Sequence, residues 1–175
     1  MMLSDKRVLI ALLVMFILSL VYAHYAMKPK QEVHIIQTSL DRINDNTLFE
    51  KQPIVIDDQI VNVTDLLGTL FKYQYLFKTD TLLEANDEVY LNPHKFMIVY
   101  NTSNENDAYV VLTPPKAIRD RYPSIDMILP PNNVLILPYL WSIEPSKEEE
   151  KTHSHPLQMI LLNDLFHKFF HRNTN

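Results

Sequence analysis

The chain of 175 residues contains no cysteine and only one glycine, Gly68. The absence of cysteine excludes disulfide bonds, thiolate catalysis and zinc sites built on sulfur. With so little glycine, turns must depend on asparagine, aspartate and proline, as in segments 104–107 and 130–133. The chain also has no excess of positive charge. Its formal net charge of -5 gives no electrostatic basis for binding nucleic acid.

Charged residues are also absent from Val8 to Ala26. This run approaches the roughly 20 apolar residues that cross a bilayer as a helix, and the tyrosines near its end suit the headgroup region. A buried core helix would instead show polar positions on one face. We therefore predict a membrane protein with four segments: a tail over 1–7, a single transmembrane helix over 8–27, a linker over 28–32 and a folded domain over 33–175.

A cleaved signal peptide is the alternative for this segment. Lys6 and Arg7 would form its basic part, and Val21 to Ala23 would form an acceptable cleavage site. Both interpretations direct the chain to a membrane. Lys6 and Arg7 on one side are matched by Lys28 and Lys30 on the other, so the positive-inside rule does not decide the orientation.

Short apolar runs predict a mainly β (α+β) domain with a few helices. A helix is expected from Leu40 to about Phe49, capped by Ser39, and a brief one near Gly68. Phe96–Tyr100 and Ala108–Leu112, joined by a polar link, predict a hairpin. Further strands are expected at 33–37, 54–56, 73–78, 125–129, 134–137 and 157–162, before a terminal helix that carries Phe169 and Phe170.

The most informative stretch runs from Asn133 to Ile143. Four consecutive aliphatic residues beginning at Val134 predict a strand that is covered on both faces. Pro138 lacks a backbone donor, so this strand must end there or lie at an edge. A single tryptophan, Trp141, follows the proline; such a residue most often packs in the core.

Three segments resemble, in order, the JmjC and related cupin-like oxygenases. Phe49–Ile56 is similar to the family's entry strand, Tyr90–Phe96 with the strands up to Pro115 is similar to its metal-binding region, and Asn133–Trp141 is similar to its closing strand. The resemblance implies a cupin-like double-stranded β-helix, or jelly roll, with peripheral helices after the single N-terminal transmembrane helix. It covers residues 49 to about 162.

The family's iron is held by two histidines and one carboxylate, which leave open positions for oxygen and 2-oxoglutarate. The resemblance puts Tyr90 at the first histidine, Asn92 at the carboxylate and Ile143 at the distal histidine. None of these residues supplies the ligand that ferrous iron needs. The resemblance therefore implies a domain without catalytic residues, metal or cofactor.

Other histidines in the sequence are candidate metal ligands. A hydroxylase with an atypical set would use Asn92, His94 and a histidine of the late loop, His153 or His155. His167 and His171 share a helix face, although no glutamate lies between them as in zinc peptidases. A surface location is the simpler interpretation of both pairs.

The leading functional prediction is a non-catalytic, membrane-anchored, cupin-like protein that binds a protein partner or has a structural role. It is reminiscent of similar proteins of large DNA viruses, which implies a viral or virion-associated membrane. The alternatives are the atypical hydroxylase and a metal-free jelly roll that binds carbohydrate or peptide. Its ligand cavity would include Tyr75, Tyr90, Asn92, His94 and Trp141. Asn62 and Asn101 begin sequons, which matter only in a secretory lumen.

Overall fold

A computed structural model describes residues 2–58, 66, 68, 77–84, 89–145 and 157–164. The chain divides into two compact units. One contains Met1–Lys28 and Phe166–Asn175, and the other contains Pro29–Leu165. The predicted strand and cavity residue before Phe77, the sequon at Asn62, the late histidine loop and the terminal helix lie outside the described residues.

Helix α1, Met2–Met27, forms the first unit's described part. Its large apolar side chains are exposed around the whole circumference. For example, Val8 near its start is 56% exposed and Tyr22 near its end is 40% exposed. The Ser19 hydroxyl donates 2.8 Å to the Met15 carbonyl, so this polar group is satisfied within the helix. Among the helices that the structure describes, none is long and apolar enough to cross a membrane.

The described part of the second unit contains two short helices and ten strands. The helices are a 3-10 turn, Leu40–Arg42, and α2, Asp45–Phe49. The strands are β1 Ile36–Thr38, β2 Ile54–Ile56, β3 Phe77–Glu84, β4 Tyr90–Leu91, β5 Phe96–Asn101, β6 Ala108–Thr113, β7 Ile125–Leu129, β8 Val134–Pro138, β9 Ser142–Pro145 and β10 Leu157–Asp164.

These strands form two sheets. The larger sheet has the order β1-β2-β8-β5-β10-β3, and the smaller sheet has the order β4-β9-β6-β7. Every pairing is antiparallel except β1 with β2. The protein is therefore mainly β, as the sequence predicts.

Strands β3 to β10 pair as one long hairpin that is folded over on itself. The innermost pair is β6 with β7, followed outward by β5 with β8, β4 with β9, and β3 with β10. Successive pairs alternate between the smaller and the larger sheet. The folding over adds two further contacts, β10 with β5 and β6 with β9.

The main core lies between the two sheets. Leu135 and Leu137 of the larger sheet belong to the same buried cluster as Val110, Leu112 and Ile143 of the smaller one. A second cluster covers the opposite face of the larger sheet, where Leu40, Ile43 and Leu48 pack against buried strand residues. Because both of its faces are covered, the central strands of the larger sheet read as uninterrupted aliphatic runs.

Two local predictions are wrong. Phe96–Asn101 and Ala108–Thr113 do not form a hairpin, because the link between them takes the chain from the larger to the smaller sheet. The predicted helix from residue 40 to 49 is interrupted at Ile43, which is extended. Asn44, rather than Ser39, caps the helix, since its side chain accepts from the backbone N–H groups of Asn46 and Thr47.

Candidate functional site

The three positions matched to the iron ligands come together in the structure. Tyr90 on β4 is the register partner of Ile143 on β9. Asn92 follows β4 directly, and its N–H donates 2.8 Å to the carbonyl of Trp141, two residues before Ile143. This group of Tyr90, Asn92 and Ile143 is called the β4–β9 corner below. The side chains of this corner distinguish a catalytic site from a structural one.

The amide of Asn92 holds the turn that joins β8 to β9. Its Nδ2 group donates to the carbonyl oxygens of Leu137 and Pro138, both at 3.0 Å. Its Oδ1 atom accepts from the N–H of His94 at 2.9 Å. Asn92 is fully buried, so these partners replace water for the whole amide. The side chain therefore acts as a clamp between distant backbone segments.

The turn that Asn92 holds has an unusual backbone. Leu140 has a φ of 65°, in the left-handed region that is unfavourable for a residue with a Cβ atom. Its N–H donates 2.9 Å to the Asn92 carbonyl, which fixes this conformation from outside the turn. The sequence offers no glycine here, so tertiary hydrogen bonds stabilise a conformation that local preference opposes.

The other two members of the corner are apolar or half-buried. Ile143 has an exposed fraction of 0% and belongs to the core between the sheets. Tyr90 is partly buried and packs against that core. The residues that the structure describes contain no group of three histidine or carboxylate side chains placed to hold a metal. In the described structure, the corner combines core packing by Ile143 with the backbone hydrogen bonds of Asn92.

The remaining predicted ligand-cavity residues are divided. Trp141 is 2% exposed and is part of the inter-sheet core, which matches the core alternative for this residue. His94 is half-buried beside Asn92, in the turn that its own N–H closes. Tyr75 lies outside the residues that the structure describes.

Asn101 forms a second buried clamp, at the other end of β5. Its Nδ2 group donates to the carbonyls of Asn106 at 3.0 Å and Leu129 at 2.8 Å, and its Oδ1 accepts from the N–H of Ser103. The nitrogen that would carry a glycan is therefore buried and engaged in the folded domain. The sequon at Asn101 is an architectural element in this fold.

Sequence reasoning missed a group of lysines that the fold gathers at one end of the larger sheet. Lys30, Lys51 and Lys95 are far apart in sequence, but the charges of Lys30 and Lys95 both act on Lys51. Burial, followed by these two positive charges, lowers the pKa of Lys51. No local pattern signals this group, because strand register creates it.

We expect Lys51→Gln to stabilise the domain at neutral pH, by no more than about 1 kcal/mol given its partial exposure. The folded pKa lies below the unfolded value, so the charged lysine opposes folding at neutral pH, and this penalty fades as pH rises through the folded pKa towards 10.5. Urea unfolding at several pH values measures the difference. Exposed Lys116→Gln is the control, and a Lys51→Gln advantage that grew above pH 10 would contradict the reasoning.

Together these features define a mainly β, two-sheet protein whose most elaborate polar sites are buried asparagine clamps. Comparisons with protein-family models, with curated proteins and with solved structures find no match to this chain.

Proposed function

We propose that this protein is a membrane-anchored, non-catalytic domain with a cupin-like jelly-roll fold, which acts by binding a partner or as a structural component. The observation that carries the proposal is the Asn92 amide, which donates to two backbone carbonyls where a catalytic relative would present a carboxylate to iron. The fold, the lack of catalysis and the membrane anchor are each supported by a different observation.

The nested pairing of β3 to β10 supports the jelly roll. A jelly roll forms when a long antiparallel hairpin is rolled so that its eight strands divide between two sheets. The pairs β6–β7, β5–β8, β4–β9 and β3–β10 have this nesting, and they alternate between the two sheets. Strands β1 and β2 then extend the larger sheet next to β8.

The β4–β9 corner supports a role without catalysis. A ferrous site needs ligands that point into an accessible space with positions left open for substrate and oxygen. Ile143 instead fills the inter-sheet core, and the Asn92 side chain is turned towards the β8–β9 turn. A domain of this kind retains the shape of an oxygenase scaffold but uses the centre of the site for packing.

Iron analysis of the purified full chain tests this part of the proposal. We expect iron well below one equivalent after reconstitution with ferrous iron, and no consumption of 2-oxoglutarate. Stoichiometric iron that is lost in His94→Ala would establish the atypical hydroxylase instead. The matched variant His34→Ala removes an exposed histidine, 3.4 Å from Glu50, and controls for adventitious binding.

The case for the anchor is carried by the sequence of residues 8–27, because none of the described helices is by itself long and apolar enough to span a bilayer. No aspartate, glutamate, lysine or arginine stands between Val8 and Ala26. A helix that is apolar on all sides is typical of a membrane span or a deeply buried core helix, and the apolar side chains described in α1 are exposed. In a membrane, this apolar surface would contact lipid chains instead of water.

We expect Ile17→Arg, near the middle of the run, to disfavour membrane insertion by about 3 kcal/mol, or roughly 100-fold. Retention of the full chain in membranes after alkaline carbonate washing is the measurement. Gln31→Arg adds the same charge outside the run and should leave retention unchanged. A wild-type chain that is released by carbonate would refute the anchor.

A further inference from the structure

The lysine group identified above, Lys30, Lys51 and Lys95, is placed by the fold and not by local sequence. Strands β2 and β5 flank β8, and Ile54 and Ile98 are both register partners of Ile136. Both strands are antiparallel to β8 and therefore run in the same direction. Lys51 and Lys95 each precede their isoleucine by three residues, so both lie at the end of the sheet where β2 and β5 begin.

Gln52 brings the third lysine to this end. Its buried side chain donates 2.7 Å to the carbonyl of Glu32 and accepts from the N–H of His34 at 3.2 Å. The segment that carries Lys30 is thereby fixed beside Lys51. Glu50, the acidic residue next to Lys51 in sequence, has its carboxylate 3.4 Å from the His34 ring.

An exposed aromatic residue accompanies the lysines. Phe49 ends α2, two residues before Lys51, and 61% of its surface is exposed. Lys51 itself has a φ of 54°, a left-handed conformation that costs a residue with a Cβ atom some stability. The two positive charges near Lys51 and its own left-handed backbone oppose stability, and an apolar ring lies exposed two residues away, within a chain whose formal net charge is -5. Such a combination is expected where binding compensates the cost.

We propose that Lys30, Lys51, Lys95 and Phe49 form a docking surface for the phosphate-bearing headgroups of an anionic membrane. Lysines provide point charges for lipid phosphates, and an exposed aromatic ring enters the interface beside them. The inference rests on the proposed anchor for its choice of ligand. Lys30 follows residue 27 by only three positions in the sequence.

Amine labelling of the full chain in vesicles tests this surface. The chain is inserted into vesicles of phosphatidylcholine, with or without phosphatidylserine, and the acylation rate of each lysine is measured by mass spectrometry. We expect anionic vesicles to slow the labelling of Lys51 and Lys95 by at least roughly fivefold, the effect of one lysine at such a surface. Exposed Lys116 should react equally in both vesicles, and high salt should abolish the difference.

Charge variants sharpen the result. Lys51→Gln should weaken the protection of Lys95 by roughly fivefold, whereas Lys116→Gln should leave it unchanged. Phe49→Ala should weaken protection without altering its dependence on salt. Equal labelling of Lys95 in the two kinds of vesicle overturns the proposal, even if the chain resists carbonate and the anchor stands.

A failure of the anchor gives a different pattern. If carbonate releases the chain, the same labelling comparison is made on the released protein with added vesicles, and protection only by anionic vesicles still supports the surface. The last measurement repeats the labelling with inorganic phosphate in place of vesicles. If phosphate protects Lys51 and Lys95 as well as anionic vesicles do, the group binds free phosphate and the assignment to a membrane is wrong.

Discussion

Asn92→Asp is expected to destabilise the domain by about 3–5 kcal/mol, although it would place a carboxylate where the resemblance to the oxygenases puts an iron ligand. The Nδ2 group of Asn92 donates to the carbonyls of Leu137 and Pro138, both at 3.0 Å. Aspartate has no hydrogen to donate there, so two carbonyls lose their partner and face a buried negative charge. Losing a partner in a buried pair of this kind costs about 1–3 kcal/mol before the charge is considered.

The pH dependence separates the charge from the lost hydrogen bonds. Repulsion by the two carbonyls and burial should raise the folded pKa of an aspartate at position 92 above its unfolded value of about 3.9. The folded variant then holds its proton more strongly than the unfolded one, so its deficit grows as pH rises above about 4 and shrinks on acidification. Urea unfolding of the wild type and the variant across this range measures the effect.

Asn104→Asp makes the same chemical change on an exposed loop and should alter the free energy of unfolding by less than about 0.5 kcal/mol. A stable Asn92→Asp variant that also bound ferrous iron would show that the corner tolerates a carboxylate at this position. The clamp interpretation would then be wrong.

The strands of the larger sheet could be predicted because their burial is reflected in an uninterrupted run of aliphatic residues. Val134–Pro138 is buried at every position, and an uninterrupted aliphatic run is the expected pattern for a strand covered on both faces. The two-residue strand Tyr90–Leu91 and the strand Ser142–Pro145 give no such signal. They are short, and one of them carries an exposed glutamate, so only their long-range pairing defines them.

Strand order was harder to predict than strand position. Phe96–Asn101 and Ala108–Thr113 are adjacent in sequence and apolar, and a polar link of this length suits a hairpin as well as a crossing between sheets. The choice is made elsewhere, because β5 pairs with β8 and β10 while β6 pairs with β7 and β9. Local propensity contains none of this information.

Two polar features of the described part of the chain also depend on distant partners. Asn92 bonds to carbonyls 45 and 46 residues along the chain, and a single asparagine before a proline looks like an ordinary turn residue. The lysine group arises from the register of β2 and β5 with β8 and from the Gln52 hydrogen bonds that hold the segment of Lys30. The sequence therefore contains the residues of both features, and the topology gives them their roles.

Ile143→His, which would place a histidine where the resemblance to the oxygenases puts the distal ligand, is expected to cost about 3–5 kcal/mol. Ile143 is 0% exposed in the core between the sheets and lies in register with both Tyr90 and Leu112. Imidazole there loses the aliphatic packing and buries a polar ring among apolar neighbours. The measurement is the free energy of unfolding in urea.

Ile128→His provides a matched control on the same sheet. Ile128 lies on β7 with 49% of its surface exposed, so a histidine there keeps its hydration and should cost less than about 1 kcal/mol. The two variants should also differ in their response to acid. A buried histidine resists protonation, so its folded pKa falls below about 6.5 and Ile143→His should lose further stability as pH drops through that value.

Combining Ile143→His with Tyr90→His and Asn92→Asp tests whether all three ligands that the resemblance implies can be accommodated together. If the corner now serves packing and clamping, the restored ligand set should leave the domain largely unfolded, whether or not ferrous iron is added. Recovery of a cooperative transition by iron would mean that metal binding can replace the clamp and the core side chain together. The interpretation of the corner as a packing and clamping site would then be wrong.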